Sequence, residues 1–260
     1  MIQDILEQSA VQRYQIGMRY AVDDRVFRYS HAAEQLIAQS GAFVGAGTAT
    51  SAGQNYWQGG GGMPIGAIIA PGTKQILFDN QELIPAHALR DGWIAGVADD
   101  ATNIFCLRIK DNDVSSAGIG TTLIYLYHGM PHGMSGVASH RCYVYPNLYR
   151  DLLNTGGAVA NQSLAAVMCV PLIKVEAATP YFWGLTWGIF YTLIGLANMV
   201  ATRVNEREFW FNQNGGIVHR AGNNAADPHF QRGGYVLMDG NNAHAAVING
   251  DQLAMLQLSP

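Results

Sequence analysis

The chain has 260 residues, 49% of them apolar and 13% charged, with a formal net charge of -4. Its 15 Lys and Arg residues are scattered and form no basic stripe that could neutralise a run of phosphates, which argues against nucleic acid as a partner. Three widely spaced cysteines, Cys106, Cys142 and Cys169, suggest neither a disulfide framework nor a zinc module and fit reduced, cytoplasmic folding.

In chain order, residues 2–11 place Ile2, Ile5, Leu6 and Val11 at helical spacing, enough for one or two amphipathic turns docked on something else. The N-terminus has neither the basic start nor the continuous apolar stretch of a secretory signal. RYQIGMRYAVDDRVFRYSHA then alternates apolar and polar residues on both sides of Asp23-Asp24, the pattern of a β-hairpin. Residues 40–62 are rich in Gly, Ala, Ser and Thr with isolated aromatics at Phe43, Tyr56 and Trp57, and read as an extended arm lying on a neighbour. From Met63 onward, β-like runs recur between turn signals: PIGAIIA, KQILF, GWIAGV, NIFCLRIK, TTLIYLY and HRCYVY. ANQSLAAVMCVPLIKVEA suggests two strands around Pro171, and GGIVH, GGYVLMDG, HAAVING and QLAMLQL continue the pattern to the end. The expected fold is mainly β, an antiparallel sandwich or barrel with an N-terminal arm (1–62), a β-rich core (63–260) and few short helices.

Residues 177–202 contain no charged side chain, and Gly184-x-x-x-Gly188 has the spacing of a membrane helix-pairing face. Against a membrane helix stand its three glycines, each costing about 1 kcal/mol relative to Ala, and flanks without basic loops. Trp183, Leu185, Trp187 and Ile189 fall on one face at a period of two, opposite Gly184, Thr186 and Gly188. That is the pattern of a buried strand, or of two strands joined near Gly195, whose back is approached by backbone or a second chain.

Chemistry-bearing motifs are sparse. His128, His132 and His140 are the densest candidate metal site, but Gly129, Pro131 and Gly133 break any helix that would align them, so an exposed loop is expected. Asp111 and Asp113 imitate the start of a calcium loop whose sixth and twelfth positions, Ser116 and Thr122, do not fit. Gly133-Met134-Ser135-Gly136 is one residue short of a nucleophile elbow, and neither Gly45-Ala46-Gly47 nor the run Gly59 to Gly62 completes a nucleotide fingerprint. Asn161-Gln162-Ser163 matches a glycosylation acceptor, uninformative without a secretory signal. No catalytic, cofactor-binding or metal residue is assigned.

The hairpin QIGMRYAVDDRVFRYSHAAE resembles the opening "DGRVFRY" hairpin of a group of tailed-bacteriophage virion proteins, and YFWGLTWG (181–188) is similar to that group's "YFWVQTWG". RDGWIAGVADDATNIFCLRIKDN and the closing GGYVLMDG and QLAMLQLSP also look like its strands. The chain departs from that pattern at Asp23-Asp24, where Asp-Gly is usual, and at Gly184-Leu185, where Val-Gln is usual. The resemblance implies a non-enzymatic decoration protein on the capsid exterior, assembled in the host cytoplasm, with the major capsid protein and copies of itself as partners. Nucleic acid, membrane and small-molecule substrates are not expected. The low charge agrees, because interface centres are depleted in charged residues. Residues 1–62 are the expected contact segment, with Tyr56 and Trp57 as anchors, separable from a β-domain that folds without them. The alternatives are another virion component, such as a shell, tail or vertex protein, or a hydrolase using a metal at His128 and His132.

Overall fold

The computed structural model describes residues 3–44, 57–58, 69–80, 83–97, 104–115, 120–133, 141–154, 166–193, 207–212, 215–218, 231–239 and 251–260. Its strands are β1 (Arg19–Val22), β2 (Arg25–His31), β3 (Ala42–Phe43), β4 (Trp57–Gln58), β5 (Gln75–Asn80), β6 (Trp93–Val97), β7 (Ile104–Asn112) and β8 (Gly120–Leu126). They continue as β9 (Arg141–Tyr145), β10 (Val167–Pro171), β11 (Tyr181–Leu193), β12 (Glu208–Phe211), β13 (Ile217–Val218), β14 (Gln231–Asp239) and β15 (Asp251–Gln257). Every pairing between these strands is antiparallel, so the mainly β, antiparallel expectation holds. The chain divides into two compact units, residues 1–45 with 149–260, and residues 46–148. The expected boundary at 62/63 falls inside the second unit.

The first unit is built on a sheet of order β1-β2-β11-β15-β14-β12-β13, with β10 pairing β11 and β3. The β1–β2 turn forms as the Asp23-Asp24 signal predicts. Asp23 itself takes the left-handed conformation (φ 53°), which Asp tolerates, so position 24 has no need of the glycine usual there. β2 pairs β11 from Tyr181↔His31 to Trp187↔Val26, and the strands bring Phe27, Tyr29, Trp183 and Leu185 into one core. The two stretches that carry the virion-protein resemblance are therefore paired neighbours.

The charge-free stretch is sheet through Leu193; residues 194–202, with Gly195, lie outside the described residues. Among the described residues no helix is long and apolar enough to cross a membrane. The expected single face of Trp183, Leu185, Trp187 and Ile189 is corrected by a bulge. The register with β2 skips Thr186, and beyond it Phe190, not Trp187 or Ile189, joins the core. Thr186 is held in the bulge by its hydroxyl, which donates to the Val26 carbonyl (3.2 Å), while its own carbonyl accepts from the Leu258 and Ser259 amides. Gly184 faces Cys169 of β10 so closely that a Cβ there would collide with its Sγ. The approach expected from backbone or a second chain is thus made at Gly184 by a side chain, whereas at Gly188 (φ 113°) it is made by the backbone of Asp24 and Arg25.

No helix occurs among the described residues, which corrects the short helices expected, above all over 2–11. Ser9 instead exchanges backbone hydrogen bonds with Tyr181 (2.9 and 3.1 Å), and Gln3 is buried. The Tyr29 hydroxyl donates to Gln3 Oε1 (3.0 Å), Gln3 Nε2 donates to the Tyr181 carbonyl (3.1 Å), and Trp183 Nε1 donates to the Gln3 carbonyl (3.3 Å). A helix this short is marginal alone, so these tertiary bonds prevail, and Leu6 and Val11 stay exposed. Residues 3–44 are thus no detachable arm: they supply β1, β2, β3 and buried Phe27, Tyr29, Leu36 and Phe43. Residues 45–56, with Tyr56, and 59–62 lie outside the described residues. The second expected strand around Pro171 is reduced to an isolated bridge between Leu36 and Val175.

The second unit is a sheet of order β4-β9-β6-β7-β8-β5. Its period-two alternation works as expected. Ile76, Phe78, Ile94, Phe105, Ile109, Ile124, Leu126, Cys142 and Val144 point to one face and form the core with Ile84, Leu89 and Met130. The backbone of Trp57 belongs here, paired with Val144 at the β4 edge. The turns expected at Asp79-Asn80 and Asp111-Asn112 are absorbed into β5 and β7.

Candidate functional site

His128 and His132 follow β8 in a loop, and both are exposed. The loop takes its shape from the Gly72 amide donating to the Met130 carbonyl (2.8 Å), the Met130 amide donating to the Thr73 carbonyl (2.9 Å), and the buried Met130 side chain. His140, Ser135 and Asn161 lie outside the described residues. Among the described residues no group of three His, Cys, Asp or Glu side chains is gathered where it could hold a metal ion.

Asp111 and Asp113 do not form a calcium loop. Asp111 accepts from Arg90 Nη2 (2.7 Å) and is bonded to His87 Nδ1 (2.9 Å), while Asp113 Oδ2 accepts from the Tyr125 hydroxyl (3.0 Å). Partial burial pushes the Asp111 carboxyl up, but the bonds from Arg90, His87 and the Asn112 amide outweigh it and hold the group at about 2.

Two features of the first unit bear on binding. A cleft of about 470 Å³ lies beside the β1–β2 turn, with Leu172, Phe190 and Leu253 among its apolar walls and Asp23, Asp24 and Arg25 at its rim. Asp23 and Arg25 approach to 3.6 Å, which leaves Asp24 as the uncompensated charge of these three. At the far end of β2, His31 Nδ1 is 2.8 Å from Asp151 Oδ1, and its ring packs 4.7 Å from that of Tyr181. The chain re-enters the first unit here, and the Leu152 amide also bonds the His31 carbonyl (2.8 Å). His31 and Asp151 fasten that crossing to β2.

The most distinctive surface is the outer face of the second unit's sheet. Trp93 of β6 stands opposite Tyr145 of β9 on one side and Arg108 of β7 on the other. Tyr127 follows across the next strand, with its ring 5.6 Å from the Arg108 guanidinium and its amide donating to the Arg108 carbonyl (3.2 Å). The result is a row, Tyr145, Trp93, Arg108, Tyr127, running across β9, β6 and β7 to the residue just past the end of β8, with Trp93 and Tyr127 each 40% exposed. Beneath it lies Asp91, buried and left-handed (φ 61°), whose Oδ1 accepts from the Tyr127 hydroxyl (3.0 Å) and lies 3.5 Å from Arg108 Nη2. Burial and then the bond to Asp91 push the Tyr127 hydroxyl pKa upward. The row below holds Tyr143, Ala95 and Cys106.

Sequence reading picked out none of these as a site. The alternation in WIAGV, FCLRI and CYVY does put Trp93 with Ala95, Cys106 with Arg108, and Tyr143 with Tyr145 on single faces. Only the pairing of the strands sets them side by side. Comparison with known protein families, curated proteins and solved structures finds no match to this chain.

Proposed function

We propose that this chain is a non-enzymatic structural protein of a bacteriophage head, a decoration protein on the capsid exterior whose partners are the major capsid protein and its own copies. The observation that carries the reading is the outward placement of large apolar side chains on a charge-poor chain. In the first unit β1, the edge strand among the described residues, is exposed along most of its length, with Tyr20 41% exposed and Met18 beside it 46% exposed; Ile37 and Tyr191 are also exposed. An edge strand carries backbone groups free to pair with another chain, and Tyr and Met are favoured where surfaces meet. The motif resemblance in β2 and β11 supports the same reading.

A protein of this kind binds where shell subunits meet and adds buried area that must be exposed before the shell comes apart. At about 25 cal/mol per Å² of apolar surface, a modest contact repeated by symmetry opposes internal pressure strongly. Mass spectrometry of purified virions is the test, before and after a mild chaotrope that strips surface proteins. The chain should be present in many copies per particle and leave while the shell stays intact. Absence from the particle overturns the reading, and recovery only with tails favours the alternative of a tail component.

A further inference from the structure

We propose that the outer face of the second unit's sheet binds a neutral oligosaccharide, stacked on Trp93 and Tyr127 and hydrogen-bonded by Arg108. The proposal is independent of the virion reading. Aromatic rings are among the side chains that gain most from burial, yet here Trp93 on β6 and Tyr127 just past β8 are held 40% exposed on a sheet whose opposite face is packed. Strand pairing fixes Trp93, and the bonds of the Tyr127 amide to Arg108 and of its hydroxyl to Asp91 fix Tyr127, so little ordering cost remains to be met on binding.

The chemistry of the row selects the ligand. An aromatic ring presents a negative face, and the axial C–H bonds of a pyranose with equatorial hydroxyls form a flat, weakly positive surface that fits on it. Trp93 and Tyr127 lie two strands apart, about 10 Å, so one extended chain crossing the strands can rest separate sugar rings on each. Between them Arg108 is fixed by the ring of Tyr127 and the buried carboxylate of Asp91, presenting its remaining N–H groups to hydroxyls at the ring edge.

Asp91 also decides against other ligands. It compensates the Arg108 charge, and exposed Lys110 further along β7 does not by itself make the positive groove that nucleic-acid stacking surfaces need. A protein hot spot needs a surrounding ring of side chains that excludes water. The next row holds Ala95 and Cys106, too small to close such a ring around Trp93, and Tyr143, which flanks Ala95 on the β9 side only.

The test uses the full chain with four linear probes, cellohexaose, chitohexaose, xylohexaose and maltohexaose, read by tryptophan fluorescence and calorimetry. At least one probe should bind, Trp93→Ala should weaken it by about tenfold or more, and Arg108→Lys should weaken it too. Leu77→Ala, on the outer face of β5, should leave binding unchanged. Bound probe should also slow the reaction of the exposed Cys106 thiol with a maleimide, which localises the site without a variant. Thermal unfolding of each variant separates lost binding from lost fold. If the native chain binds none of the four probes, or Trp93→Ala binds as the native chain does, the proposal is overturned. It is equally overturned if Trp93→Ala changes the oligomeric state in sedimentation while no probe binds, since the face is then a protein interface.

Discussion

Substituting Gly184 by Ala tests the packing between β10 and β11. A Cβ at this position would collide with Cys169 Sγ, lie 2.7 Å from Cys169 Cβ and 3.3 Å from Phe182 Cε2. Its φ lies outside the left-handed region, so the cost is steric rather than conformational. Cys169 and Phe182 are buried, and neither has room to retreat. Overpacking of this kind costs about 1–3 kcal/mol, which for a unit of this size lowers Tm by about 2–12 °C. Cys169→Ala removes the colliding sulfur but not the Cβ, so the double variant should recover only part of the loss, with a coupling of about 1 kcal/mol. Calorimetry or urea unfolding of the two single variants and the double provides the cycle. An unchanged Tm for Gly184→Ala, or strict additivity in the double variant, would refute the close contact and with it the placement of β10 against β11.

Deleting residues 1–44 should unfold the first unit instead of freeing an intact domain. It removes β2 and the buried Phe27, Tyr29, Leu36 and Phe43, each worth about 2–5 kcal/mol against a typical total of 5–15; near-UV circular dichroism and limited proteolysis report it, and a cooperative, protease-resistant fragment would contradict it. Of the three thiols, only Cys106 is exposed, while burial pushes the Cys142 thiol up and the Cys169 thiol up to about 12. A thiol-disulfide reagent at pH 8 should therefore titrate one group rapidly in the native protein and three after unfolding, and two fast groups in the native state would be the contrary result. Asp111 is held at about 2 against an ordinary 3.8, so its contribution is present at neutral pH and is lost as pH falls through about 2. Asp111→Asn should lower stability modestly at pH 7, by about 1 kcal/mol or less given the exposure of its partners, with the difference fading between pH 4 and 2; a difference that grew on acidification would reverse the sign.

The strands of this fold were legible wherever apolar residues alternate between turn residues, as in KQILF, TTLIYLY and QLAMLQL. What stayed hidden depended on the partner strand. The bulge at Thr186 leaves no mark in YFWGLTWGIF, because it is imposed by register with β2 and by the terminal residues Leu258 and Ser259 binding its carbonyl. The strand β12, Glu208–Phe211, lies in REFWFN, where the aromatic run and the Asn214-Gly215 turn signal that follows made it readable, yet it was not assigned. The segment 2–11 reads as a helix because its apolar spacing is helical, and only the buried Gln3, bonded to Tyr29, Trp183 and Tyr181, reveals that it is committed elsewhere.

The two tryptophans Trp183 and Trp93 show why the candidate site was harder to see than the fold. Both sit in short β-like runs beside glycine, in YFWGLTWG and in GWIAGV, and local sequence gives no reason to treat them differently. Trp183 is buried because β2, the N-terminal segment and β1 bring Tyr29, Tyr14 and Tyr20 around it, at ring separations of 5.0, 5.3 and 5.4 Å. Trp93 has cross-strand partners too, but Tyr145 and Arg108 share its outward face, and the inward face of β6 is filled by Ile94. An aromatic side chain on the outer face of a sheet whose core is already complete gains nothing for that sheet from its size. Replacing Trp93 should therefore cost little stability, and its effect should fall instead on whatever the face binds.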